Sequence, residues 1–122
     1  MLEINTVTNA IYLTKGDSGI INITLTGDSL GDYNDMKFYV RNAQNQDSVM
    51  FTLGMNDGDT EKGIITGSGN SYSIRIYPAA TLDMKRKKYV YDIKLISGNE
   101  TTTGDVITFV GGGTVKTEFW VT

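Results

Sequence analysis

Alternating apolar and polar positions recur along most of this chain, and the longest such run covers residues 88–96. One face of the predicted strand carries apolar and aromatic residues: Tyr89, Tyr91, Ile93 and Leu95. The other face is mixed: Val90, Asp92, Lys94 and Ile96. Period-2 alternation in a run rich in aromatic and β-branched residues predicts a strand. One apolar face and one mixed face favour a central position in an antiparallel sheet.

Shorter alternating runs predict further strands over residues 21–25, 36–41, 49–53, 71–76, 106–110 and 115–121. An earlier strand begins at residues 2–4 and continues over residues 10–13, and residues 64–65 predict a very short strand. Glycine-containing turns separate many of these runs, and residues 78–83 predict about one helical turn. Strands spaced about every 8–12 residues predict an all-β, immunoglobulin-like antiparallel β-sandwich of about seven to nine strands.

The length of 122 residues is enough for two packed sheets around a single core, so residues 1–122 are expected to form one domain. Hydrophobic residues make up 39% of the chain and charged residues 20%, which is typical of an ordinary folded protein. The inward faces of the alternating runs define the predicted core: Ile23, Leu25, Phe38, Val40, Ile74, Ile76, Tyr91, Ile93, Leu95 and Phe119.

Charge and hydropathy narrow the expected partners and location. A net charge of −3 disfavours nonspecific binding to nucleic acid. No run approaches the roughly 18 apolar residues of a membrane span, so no membrane partner is expected. The first residues lack the basic and then apolar regions of a signal peptide. We therefore expect the chain to be made in a cytoplasm and kept there until it enters an assembly or the cell is lysed.

The chain contains neither cysteine nor histidine. Disulfides, thiolate nucleophiles and zinc–thiolate sites are therefore excluded, as are Ser-His and Cys-His catalytic pairs. We expect no catalytic, cofactor-binding or metal-binding residues, and hence no enzyme. The best alternative chemistry is a hydrolase built on two of the fourteen carboxylates, but surface solvation explains all of them.

Three short motifs have plain structural interpretations. Residues 57–63 resemble a calcium loop, but Lys62 and Ser68 stand where an EF-hand requires glycine and glutamate. Residues 67–72 begin like a dinucleotide-binding loop, but Tyr72 replaces the third glycine and a strand follows instead of a helix. The basic run 85–88 has no interleaved aromatic residues for base stacking and is interpreted as a solvated turn.

The last strand carries the strongest candidate for a binding surface. If Phe119 points into the core, Trp120 points outward together with Lys116 and Glu118, and Tyr39 points outward by the same argument. An outward aromatic residue marks a protein interface or a sugar-stacking platform, or it is covered by the N-terminal segment. The candidate interface residues are Trp120, Tyr39, Lys116 and Glu118.

Five motifs occur in an order that resembles a known family. They are the turn 13–19 leading into strand 21–25, the strand 36–41, the Tyr-Pro turn 77–81, the Tyr-Val-Tyr-Asp-Ile strand 89–93 and the final segment 115–122. In this order they resemble a family of small proteins from tailed phages and prophages of Gram-positive bacteria. Those proteins are similar to the N-terminal domain of phage baseplate upper proteins.

The resemblance implies a virion structural or adaptor protein of the tail, the baseplate or the head surface. It would act through protein–protein contacts with other virion proteins, in several copies or as a homo-oligomer, and would carry no catalytic residues or cofactor. Its implied location is the virion, after synthesis in the host cytoplasm without a signal peptide. The alternative is a carbohydrate-binding module that attaches to a host surface glycan through Trp120, Tyr39 or Tyr77.

Overall fold

The computed structural model describes residues 2–5, 10–24, 35–45, 47–56, 58–68, 71–97, 105–110 and 117–122. Of these, residues 2–5, 97 and 105–110 are described by their backbone alone. Ten strand segments and one short helix occupy this part of the chain. The strands are β1 (Leu2–Asn5), β2 (Ala10–Leu13), β3 (Gly19–Thr24), β4 (Asp35–Asn42), β5 (Val49–Gly54), β6 (Gly63–Ser68), β7 (Ser71–Ile76), β8 (Lys88–Ser97), β9 (Asp105–Val110) and β10 (Thr117–Val121). The helix α1 is Ala79–Leu82.

The strands form a seven-stranded and a three-stranded sheet. The seven-stranded sheet has the order β1-β2-β10-β8-β4-β5, with β9 paired to β8, and the three-stranded sheet has the order β3-β7-β6. Since β4 pairs along one edge of β8, β9 and β10 share the other edge, β9 against residues 93–97 and β10 against residues 88–91. The ten segments therefore occupy nine strand positions, and the predicted all-β sandwich is confirmed.

The assignment of strands to sheets follows the immunoglobulin order. From β3 onward, β3, β7 and β6 form one sheet, while β10, β8, β4 and β5 lie side by side in the other. These positions match strands B, E, D and strands G, F, C, C′ of immunoglobulin domains. One pairing departs from the predicted antiparallel pattern: β10 runs parallel to β2. The two strands lie near opposite ends of the sequence, so no hairpin imposes an antiparallel direction on them.

The inner faces of the two sheets enclose a single cluster of buried apolar residues. Every described member of the predicted core lies in or against it: Phe38, Val40, Ile74, Ile76, Tyr91, Ile93, Leu95 and Phe119 are buried, and Ile23 is half-buried and packs on the cluster. Leu25 lies outside the described residues. The cluster also contains residues that were not predicted, including Ile11, Leu13, Met36, Phe51 and Leu53.

Aromatic rings occupy the middle of this core. The ring centroid of Phe38 lies 5.5 Å from that of Tyr91, 6.2 Å from that of Phe119 and 6.3 Å from that of Phe51. Tilted and edge-on aromatic pairs of this kind add about 0.5–1.5 kcal/mol each beyond their buried area. The strands β4, β5, β8 and β10 are thus joined through one contact network. Burial in this network also raises the pKa of the Tyr91 hydroxyl from 10.0 to about 12.

The predicted helical turn is confirmed as α1, and it packs against the turn after β2. Ala80 and Thr81 are buried, and the Thr81 hydroxyl oxygen accepts a hydrogen bond of 2.9 Å from the Gly16 backbone N–H. Gly16 has a φ of 80°, a conformation that glycine adopts at little cost. This contact ties two turns that are 65 residues apart in the sequence.

Replacing Ile93 with Ala is expected to lower the free energy of unfolding by about 2–5 kcal/mol, because it truncates a buried aliphatic side chain. Ile93 is 3% exposed and lies opposite Phe38 in the β4–β8 pairing. Denaturant titration measures the change. Val49→Ala serves as the control, since Val49 is 39% exposed. An Ile93→Ala effect no larger than that of the control would contradict the inward orientation of β8.

Candidate functional site

The seven-stranded sheet turns a second set of side chains away from the core. Strand alternation places them on one surface, which we call the outer face: Tyr12, Lys37, Tyr39, Arg41, Lys88, Val90, Asp92, Lys94, Glu118 and Trp120. Trp120 lies opposite both Tyr12 and Lys88, and Tyr39 lies opposite Asp92. Trp120, Glu118 and Tyr39 therefore share the surface that the alternation predicted for them.

Trp120 makes two contacts within its own chain. Its ring is stacked with that of Tyr12, with centroids 6.3 Å apart and an interplanar angle of 11°. Its indole Nε1–H donates a hydrogen bond of 2.9 Å to Glu118 Oε2. Trp120 remains half-buried, so part of its surface stays open to solvent. Of the three uses that the sequence left open for an outward Trp120, cover by the N-terminal part of the chain is thus seen in part, through Tyr12 of β2.

Glu118 also pairs with a cation across the β8–β10 boundary. Its Oε1 lies 3.8 Å from Lys88 Nζ, and both side chains are more than two-fifths exposed. Exposed ion pairs contribute about 0–1 kcal/mol, so this contact orients Glu118 more than it stabilises the fold. Lys116, the remaining candidate of the last strand, lies outside the described residues.

A second cluster surrounds Tyr39 on β4. Arg41 Cζ lies 4.8 Å from the centre of the Tyr39 ring, and Lys94 Nζ lies 5.5 Å from it. Both cations also approach Asp92, with Arg41 Nε 3.1 Å from Oδ1 and Lys94 Nζ 3.9 Å from Oδ2. The Asp92 side chain is 9% exposed, and these two cations compensate the charge of its carboxylate. The aromatic ring and its cations therefore form one ordered polar cluster.

The other predicted motifs have structural roles. The backbone N–H of Asp59 donates to the Thr52 carbonyl at 2.8 Å, and the Asp59 carboxylate accepts from the Thr52 N–H at 3.2 Å. The N–H and C=O groups of Thr52 both point away from β4, at the outer edge of β5. This loop therefore supplies hydrogen-bond partners to that edge at Thr52. Asp57 lies outside the described residues, and the described part of the chain contains no group of three potential metal ligands. The structure gives the calcium-like motif a structural use.

Of the glycine-containing run 67–72, residues 67–68 end β6 and residues 71–72 begin β7, which are antiparallel neighbours; residues 69–70 lie outside the described residues. The basic run 85–88 is an exposed turn that also makes local contacts. Lys87 Nζ lies 5.3 Å from the centre of the Tyr89 ring, and the Tyr89 hydroxyl donates to the Lys85 carbonyl at 3.2 Å. These contacts agree with the structural interpretation of the run.

Within the described ranges, no helix has the length and apolar character needed to cross a membrane. No protein-family model matches the chain, and no curated protein matches its sequence. A function for this chain is therefore inferred from its fold, its outer face and the motif resemblance.

The outer face contains residues that the sequence did not mark as candidates, among them Tyr12, Arg41, Asp92 and Lys94. The alternation in β4 and β8 already placed the last three on outward positions, and their shared location became evident only from the strand pairing. Tyr12 needed the parallel β2–β10 pairing, which nothing in the local sequence indicates.

The Tyr12–Trp120 contact predicts a measurable coupling. A double-mutant cycle with Tyr12→Ala and Trp120→Ala should give an interaction energy of about 0.5–1.5 kcal/mol in denaturant titrations. Trp120→Ala combined with Thr66→Ala is the control, because Thr66 lies in the other sheet and its effect should be additive. Additivity within about 0.3 kcal/mol for the Tyr12 pair would show that the two rings do not support each other.

Proposed function

We propose that this chain is a non-enzymatic virion structural or adaptor domain of a tailed phage, in its tail, its baseplate or on its head. The observation that carries the proposal is the outer face, where a tryptophan, two tyrosines and an arginine lie on one surface of the seven-stranded sheet. The motif resemblance to phage baseplate proteins supports the virion setting.

The composition of the outer face suits a protein partner. Tryptophan, tyrosine and arginine are the residues most enriched among those that dominate protein–protein binding energy. Trp120 and Tyr39 are each half-buried, and both are held by neighbours before any partner binds. Side chains that are already ordered lose less conformational entropy on binding. The outer face therefore combines anchoring residues with preorganisation.

The same contacts favour a protein over a glycan. A sugar platform requires an aromatic face that is open to the ring of the sugar. Trp120 and Tyr12 turn one face of each ring toward the other, and two cations lie against the Tyr39 ring. A virion also repeats its components, and repetition converts weak single contacts into stable attachment.

Particle incorporation tests the proposal. An antibody against the chain should detect it in tailed particles purified from the source bacterium after prophage induction. In particles assembled with Tyr39→Ala, incorporation should fall, since truncating a central aromatic commonly costs about 2 kcal/mol or more. Arg75→Ala is the control, because Arg75 is exposed on the other sheet.

Two outcomes would contradict the proposal. One is a chain that stays in the particle-free fraction of such lysates. The other is equal incorporation of the Tyr39 and Arg75 variants, which would separate the outer face from assembly. Binding to a panel of bacterial glycans that is lost in Trp120→Ala would favour the carbohydrate-binding alternative.

A further inference from the structure

The three-stranded sheet has an open edge at β3. Within the described residues, β3 pairs with β7 and makes no backbone hydrogen bond to any other element. In constant-type immunoglobulin domains a further strand, the first of the chain, lies beside this position. Here both β1 and β2 belong to the seven-stranded sheet instead. None of the described strands therefore occupies the position beside β3.

The backbone groups that face this edge follow from the pairing of β7. The Tyr77 N–H donates to the Lys62 carbonyl, continuing the register of the β6–β7 pair. The backbone groups of Tyr77 therefore point toward β6. Because the backbone groups of successive residues point to opposite edges, those of Ile76, Ile74 and Tyr72 point toward β3. Their partners in β3 are Gly19, Ile21 and Ile23. The backbone groups of Ile20, Asn22 and Thr24 consequently point to the open edge.

The sequence of β3 itself lacks two of the features that usually prevent strand addition. Edge strands are commonly protected by charged residues, by proline or by a covering loop. The sequence of β3 is Gly-Ile-Ile-Asn-Ile-Thr, with no charge and no proline. Its outward side chains are exposed, and Ile20 is 47% exposed. By contrast, Asp59 hydrogen-bonds both the N–H and the C=O group of Thr52 on the outer edge of β5.

We propose that β3 pairs with β3 of a second copy of this chain, antiparallel and across a two-fold axis at Asn22. In this register Asn22 lies opposite the partner's Asn22, and Ile20 lies opposite the partner's Thr24. All three residues that face the edge then form hydrogen-bonded pairs, giving about six backbone hydrogen bonds. A shift of two residues along the strand would leave fewer such pairs.

The chemistry of the edge favours a second copy as its occupant. An antiparallel two-fold contact brings each side chain against its counterpart from the same short strand, so a charged strand would repel itself. The strand β3 carries no charge, and an isoleucine meets a threonine on either side of the axis. Asn22 Oδ1 accepts a hydrogen bond of 2.9 Å from the Ser73 hydroxyl, which orients the amide nitrogen away from Ser73. The dimer would join two three-stranded sheets and leave both outer faces accessible.

Charge placed at Asn22 tests the two-fold contact. The unmodified chain should sediment as a concentration-dependent dimer. Asn22→Lys and Asn22→Asp should each raise the dimer Kd by about fivefold or more, since identical charges then lie directly opposite. Equal amounts of the two variants, mixed together, should restore the dimer because opposite charges now face each other. Thr66→Lys and Thr66→Asp are matched controls, exposed on β6 at the far side of the same sheet.

A second readout uses the absence of cysteine from the chain. Asn22→Cys should form a disulfide-linked dimer under mild oxidation much faster than Thr66→Cys, since residues directly opposite in a hydrogen-bonded pair have Cα atoms about 5.5 Å apart. A chain that sediments as a monomer at every concentration would overturn the proposal. So would a dimer that is indifferent to charge at Asn22, or one that the mixture fails to restore. The proposal is independent of the virion role, because incorporation is tested through Tyr39.

Discussion

The pairing of β8 along both of its edges is the interaction on which the rest of the structure depends. One edge pairs with β4 over eight residue pairs, and the other is divided between β9 and β10. Through β10 the contact reaches β2 and β1, and through β4 it reaches β5. The inner side chains of β8 also pack in the aromatic centre of the core, where Tyr91 contacts Phe38. The other strands of the seven-stranded sheet are thus positioned by this single strand.

The same strand organises the candidate surface. Because alternate side chains point to opposite faces, a strand that buries Tyr89, Tyr91 and Ile93 must direct Val90 and Asp92 outward. Asp92 then holds Arg41 and Lys94 near the Tyr39 ring. Core packing and the ordering of the outer face are therefore linked, and a slip of one residue in the register of β8 would exchange the two faces.

Local periodicity was sufficient to predict much of this fold. The alternation placed Phe119 inside and Trp120 outside, and the Pro78 turn gave the short helix α1. The unpredicted features join residues that are distant in the sequence. They include the parallel β2–β10 pair, the Gly16–Thr81 hydrogen bond and the stacking of Tyr12 with Trp120. No local pattern encodes which strands become neighbours, so the partners of Trp120 and the open edge of β3 required the structure.

Native-state hydrogen exchange of the backbone amides tests the central role of β8 most directly. Amides in the middle of β8 are expected to exchange through global unfolding, with the highest protection in the molecule. Amides of β1, which lies at the edge of the same sheet, should exchange through local opening at much lower free energy. Protection in β8 equal to or below that in β1 would contradict the account, because the strand would then open without unfolding the domain.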